Sequence, residues 1–155
     1  MDKNLLIMSE MPQHFINLAD ENFKTYKLWL QEDEDKFLDG IKLDVDAIAV
    51  MGGYKITPEL MKNMPNLKVI ACYGVGYDAI DIECAKSLGI KVTNTPEVLN
   101  DEVADTAIAL MLCVYKKIVT ADNFARNNSW TNGDFPLTKK FTGTKLGIVG
   151  MGRIG

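Results

Sequence analysis

The chain is poor in the side chains that most often carry chemistry. Its 155 residues include one histidine and three cysteines, and its only arginines are Arg126 and Arg153. Cys72, Cys84 and Cys113 are odd in number, lie in apolar company and form no C-x-x-C. That excludes a disulfide framework and reads as reduced core thiols of a cytoplasmic protein. His14 follows Pro12 in a polar stretch, where a surface position is expected and no metal site can be assembled around it. Positive charge is also scarce. The net charge of −4 leaves no basic footprint for nucleic acid. No apolar run approaches the length of a membrane span, and the one near the start is too short for a signal peptide.

What is present is a globular composition, with 47% apolar and 25% charged residues, in a length that suits one ordinary domain. Short apolar runs alternate with short helical patterns. Strands are expected at Leu5 to Met8, Thr25 to Leu30, Ala47 to Met51, Lys68 to Cys72 and Ile90 to Thr93. Between them, helices are expected over Gln13 to Asp20, from the acidic run Glu32 to Asp35 to Gly40, from Thr57-Pro58-Glu59, and from Asp81 to Gly89. This order implies an α/β fold with a parallel sheet covered on both faces. Asn100 to Val119 is the longest helical signal. It is apolar on nearly every side, so it is expected to be buried all round, as at a domain or subunit junction. Ala121 to Phe141 reads as a long irregular segment, with Trp130 and Phe135 in it, of the kind used in function or at interfaces.

Two glycine patterns carry the functional signal. Lys145 to Val149 reads as a buried strand running into Gly150-x-Gly152-x-x-Gly155. In a dinucleotide fold, such glycines give the tight turn, the approach of backbone to a pyrophosphate, and close packing of the next helix. The second pattern is Gly74-Val75-Gly76, after the fourth strand. Open α/β sheets bind ligands at that end. Two glycines one residue apart let successive N–H groups face one anion. A plain turn needing glycine for positive φ fits the spacing equally. Tyr54, after Gly52-Gly53, either walls the same cleft or is a surface aromatic.

Four segments, Lys68 to Asp81, Leu88 to Pro96, Asp101 to Ala107 and Leu146 to Gly155, together resemble the D-isomer-specific 2-hydroxyacid dehydrogenases. The stretch Trp130 to Thr142 is most similar to their glyoxylate and hydroxypyruvate reductase branch. The resemblance implies a flavodoxin-like substrate domain over 1–98. Residues 99–155 would be a crossover helix, a dimerisation segment and the first strand of a Rossmann NAD(P)-binding domain, truncated at Gly155. It implies that the amides of Val75 and Gly76 hold a substrate carboxylate; Tyr54 is the further candidate for the substrate side from its place after Gly52-Gly53. Val75, Thr106, Gly150, Gly152, Arg153, Ile154 and Gly155 would meet NAD or NADP, and a homodimer would form through 100–141. The family's reaction moves a hydride between the nicotinamide and a small 2-oxo or 2-hydroxy acid. It uses an arginine and a histidine tuned by a carboxylate. None of these falls within this sequence, so no catalytic residue is assigned and the chain by itself is expected to turn over nothing. A non-catalytic, dinucleotide-sensing corepressor of the same fold, or the phosphoglycerate and lactate dehydrogenase branch, are the alternatives.

Overall fold

Ala47–Met51 forms the central strand of the first of two units into which the computed structural model of the protein divides, at Pro96 and Glu97. The structure describes residues 3–155. In chain order the strands are β1 (Asn4–Ile7), β2 (Lys24–Lys27), β3 (Ala47–Met51), β4 (Val69–Tyr73) and β5 (Lys91–Thr93). They pair in the order β2-β1-β3-β4-β5, and every pairing is parallel. Parallel neighbours need right-handed crossovers. The reversal at β1 therefore sends α1 (Gln13–Asn22) to one face. It sends α2 (Glu34–Ile41), α3 (Pro58–Lys62) and α4 (Ile82–Ser87) to the other.

The core follows this division. Ile41, Met61 and Ala85 of α2, α3 and α4 pack with Leu6, Ile48, Val50 and Ile70. Ile16 and Ala19 of α1 pack with Leu5, Ile7 and Ala49. A strand buried on both faces needs apolar side chains at successive positions, which is why β3 reads Ala-Ile-Ala-Val-Met. The sheet order is the flavodoxin-like one. The helix starts are fixed locally. Asp33, Thr57 and Asp81 each accept a hydrogen bond from the N–H three residues on, at 3.0, 3.2 and 2.8 Å. Gly89, at φ +70°, takes the left-handed position after α4.

Five expectations change. The second strand stops at Lys27, and Leu28–Leu30 forms a 3-10 turn. The Gln31 N–H closes that turn on the Leu28 carbonyl at 2.9 Å, which swings the chain towards α2. In the second unit, the long helix ends early. α5 (Asn100–Lys116) stops where Lys117 adopts the left-handed conformation, and α6 (Ile118–Arg126) starts directly after it. The irregular segment is thus partly helical, held by an Arg126–Asp122 pair and an edge-on Phe124–Phe135 contact at 5.3 Å. None of α5 is fully buried, against the expectation of burial all round, because its unit supplies no layer that surrounds it. Lys145 to Val149 forms no strand, and Val149 is fully exposed. A parallel strand needs a neighbour to bond, and among the described residues of that unit there is no other strand. No helix among the described residues is long and apolar enough to cross a membrane.

Two contacts tie the first unit together, one at each end of the sheet. At the amino end of the sheet, Asp46 accepts from the Asn4 N–H at 2.9 Å and from the Lys3 ammonium at 2.9 Å. These bonds, the Asn4 amide first, hold its carboxyl below the usual carboxylate range. A pKa lowered by folding contributes stability that is present above the unfolded value, about 3.9, and is lost as pH falls through the folded value. Asp46→Asn should therefore lower the unfolding free energy at pH 7 by about 1 kcal/mol, the partly exposed pair being screened. Denaturant titrations should show that gap closing below about pH 4. A gap that persists in acid would mean the carboxylate is not its source.

At the carboxyl end, Gly52 and Gly74 press backbone to backbone. A Cβ built on Gly74 would lie 2.9 Å from the Gly52 Cα, whereas one on Gly76 would meet only the Asp78 carboxylate, at 3.5 Å. Gly74→Ala should cost about 1–3 kcal/mol by forcing the two loops apart. Gly76→Ala should leave the melting temperature nearly unchanged. Equal losses for the two in a thermal melt would show that the Gly52 contact is not what Gly74 serves.

Candidate functional site

The segment after β4 is held at both ends and free in the middle. The Gly52 N–H donates to the Tyr73 carbonyl at 3.2 Å, and the Ile56 N–H to the Ala79 carbonyl at 3.0 Å. Ile56 and Ile80 pair there as an isolated bridge, and both are buried. Between these anchors Val75, Gly76, Tyr77 and Asp78 are exposed. Ordinary loops expose their backbone to water on all sides. This one does not.

Its three successive carbonyls are all occupied from within the unit. The Gly74 carbonyl accepts from the Thr95 N–H at 2.9 Å. The Val75 carbonyl accepts from the Asn94 side-chain amide at 2.8 Å. The Gly76 carbonyl accepts from the Cys72 thiol at 3.5 Å. All peptide bonds among the described residues are trans. In a planar trans peptide the C=O and the following N–H point in opposite directions. Fixing these carbonyls therefore turns the N–H groups of Val75, Gly76 and Tyr77 away from Thr95, Asn94 and Cys72. None of the three N–H groups donates to a protein acceptor among the described residues. Burial raises the pKa of the Cys72 thiol, which keeps it in the S–H form that can donate.

The loop is thus a row of three unpaired backbone donors, one more than Val75 and Gly76 alone. Neither Gly74 nor Gly76 has a positive φ. This removes the plain-turn explanation of the two glycines. It also means that these donors lack the alternating left-handed residue of an anion nest. Gly74 is glycine to meet Gly52. Gly76 has open space where a side chain would stand, apart from the Asp78 carboxylate. That acid opposes an anion, so the attraction offered by the loop itself comes from its amide dipoles.

The remaining predicted residues fall in two places. Tyr54 is half-buried, and its ring packs on the main core. Burial, and then the Glu34 carboxylate, raise its phenol pKa. It is a partly buried aromatic of the core and not a free surface ring. Thr106, Gly150, Gly152, Arg153, Ile154 and Gly155 belong to the second unit. Thr106 is exposed on α5. Gly150 has φ +97°, and a Cβ on Gly155 would collide with the Gly150 carbonyl, so the turn closes as only glycines allow. Gly152 has nothing within 4 Å of the place a Cβ would take, which leaves its backbone approachable, as a pyrophosphate would require. Arg153 pairs with Glu97 at 3.1 Å, and Ile154 is half-exposed.

The sequence reading missed Asn94, Thr95 and the hydrogen-bonding use of Cys72. The signal available was register. Ala71 lies opposite Thr93, so the next residues are Cys72, still within β4, and Asn94, just past the end of β5, and both reach carbonyls of the loop after β4.

With this geometry in place, likeness to known proteins becomes informative. Residues 5–149 match the family model of the D-isomer specific 2-hydroxyacid dehydrogenase, catalytic domain. A hydroxyphenylpyruvate reductase of Plectranthus scutellarioides is 36% identical over 97% of this chain and 48% of its own length. A 2-hydroxyacid dehydrogenase of Ketogulonicigenium vulgare superposes with a TM-score of 0.94 at 34% identity, over 99% of this chain and 49% of that one. An NADPH-dependent glyoxylate/hydroxypyruvate reductase of Sinorhizobium meliloti, solved with NADP and malonate, gives 0.84 at 35% identity, over 99% and 48%. The chain spans about half the length of the relatives it matches. A flavodoxin-ordered sheet, the amide row after its fourth strand, and a family match over nearly every residue lead to one conclusion: this chain belongs to the D-isomer specific 2-hydroxyacid dehydrogenases.

Proposed function

We propose that the full-length protein reduces a small 2-oxo acid, of the glyoxylate or hydroxypyruvate class, at the expense of NADH or NADPH, in the cytoplasm. The observation that carries this reading is the row of unpaired amides at Val75, Gly76 and Tyr77. A carboxylate accepting two or three backbone N–H bonds is held strongly without any cation. Held by the amides of Val75 and Gly76, the acid would keep its C2 carbon at a fixed distance from this wall, with Tyr54 at the edge. A reduced nicotinamide, when bound, supplies the hydride to C2.

This division of labour suits the residues present. Both arginines already pair with acids of their own unit, Arg126 with Asp122 and Arg153 with Glu97. His14 is exposed on α1. The group that polarises the carbonyl and the group that moves the proton are assigned to neither. The role assigned to this chain is binding and orientation. Residues 1–98 form the substrate wall, and residues 99–155 start the cofactor wall. There Gly150, Gly152 and Gly155 would admit the pyrophosphate, with Arg153, Ile154, Thr106 and Val75 about the dinucleotide. Exposed apolar side chains on α5 and after it, among them Ile108, Leu110, Val114 and Trp130, support the 100–141 region as a homodimer contact.

The test is consumption of NADH and of NADPH by the purified full-length protein, with glyoxylate and with hydroxypyruvate. Turnover is expected with at least one pair. In Gly76→Val the KM for the acid should rise about tenfold or more, because the new side chain crowds the carboxylate, while the KM for the nicotinamide holds. No turnover with any pair, or unchanged kinetics in the variant, would contradict the proposal.

A further inference from the structure

We infer that Asn94 is a positioning residue for the substrate carboxylate, acting through one peptide plane. The inference rests on the proposed 2-oxo acid reduction. Asn94 follows β5 and touches no part of the amide row from the front. Its side-chain amide donates to the Val75 carbonyl at 2.8 Å. That carbonyl shares its rigid plane with the Gly76 N–H, so the bond sets the direction of the amide that lies at the centre of the row.

The other two planes have different holders. The plane of the Val75 N–H is held by a backbone donor, Thr95, which no side-chain change removes. The plane of the Tyr77 N–H is held by a thiol at 3.5 Å, a weak donor. Asn94 is therefore the only strong side-chain holder among the three. Gly76, with no Cβ and open space about it, is also the residue whose plane turns most easily once released. Without the Asn94 donor, the Val75 carbonyl gains by rotating towards water. It would then present an oxygen, where the acid needs an N–H.

Asn94 is half-buried and lies at the unit's surface, which makes a shape-preserving change tolerable. In the full-length protein, Asn94→Leu keeps the outline and removes the donor. Asn94→Asp keeps the outline and replaces the donor with an acceptor, and serves if the leucine variant does not fold. Steady-state kinetics with glyoxylate and the preferred reduced nicotinamide read the result, together with thermal melts. The expected outcome is a rise of roughly five- to tenfold in the KM for glyoxylate, the loss of one hydrogen-bonded orientation. The KM for the nicotinamide, kcat at saturating acid and the melting temperature should stay near the wild-type values. A residue that merely supported the fold would move the melting temperature and both KM values together, and that result would overturn the inference. An unchanged KM for glyoxylate in an active, folded variant would also overturn it, while leaving the proposed function standing. A wild-type protein that reduces no 2-oxo acid would remove both.

Discussion

The planarity of three peptide bonds is the constraint on which the rest depends. Once the carbonyls of Gly74, Val75 and Gly76 are engaged by Thr95, Asn94 and Cys72, the three following N–H groups have no freedom of direction. Everything else in the first unit serves to bring those holders to the right height. Parallel pairing of β4 with β5 aligns Cys72 with Asn94. The Gly52–Gly74 contact fixes how closely the loop after β3 lies against the loop after β4. The buried Ile56 and Ile80 close the far end.

This arrangement favours a small organic anion on physical grounds. Unpaired backbone donors at a rim cost little in water and gain much when a carboxylate replaces that water. The loop from Gly74 to Asp78 holds a carboxylate and no cationic side chain, so its own attraction for an anion comes from the amides. In the proposed reaction, charge neutralisation and proton transfer fall to groups other than these amides. In the second unit, the turn at 150–155 is tight between Gly150 and Gly155 and leaves Gly152 open to approach, which are the features a dinucleotide site would use.

Much of the first unit was legible in the sequence, and the reason is that its signals are local. Thr57-Pro58-Glu59 and Asp81 write helix starts. The unbroken apolar β3 writes a strand covered on both faces. Val75 and Gly76 stood out in the sequence because they lie in the glycine-bearing loop after a parallel strand. Three things were not. The role of Asn94 depends on the register between two strands, which no local pattern encodes. Gly74 and Gly76 look alike in the sequence and do different jobs, one set by a backbone neighbour 22 positions away at Gly52 and one by open space. In the second unit, the pattern of Lys145 to Val149 is that of a buried strand, but a strand exists only when another bonds to it. The same holds for α5, whose apolar surface calls for a cover that its own unit does not provide.

Amide hydrogen exchange of the full-length protein, with and without malonate, tests the central claim most directly. Val75, Gly76 and Tyr77 should exchange nearly as fast as unstructured peptide in the free protein and slow markedly when the dicarboxylate is added, while Thr95 stays protected throughout. Strong protection of Val75 and Gly76 before any acid is present would show that their N–H groups already bond within the fold, and the account would fail.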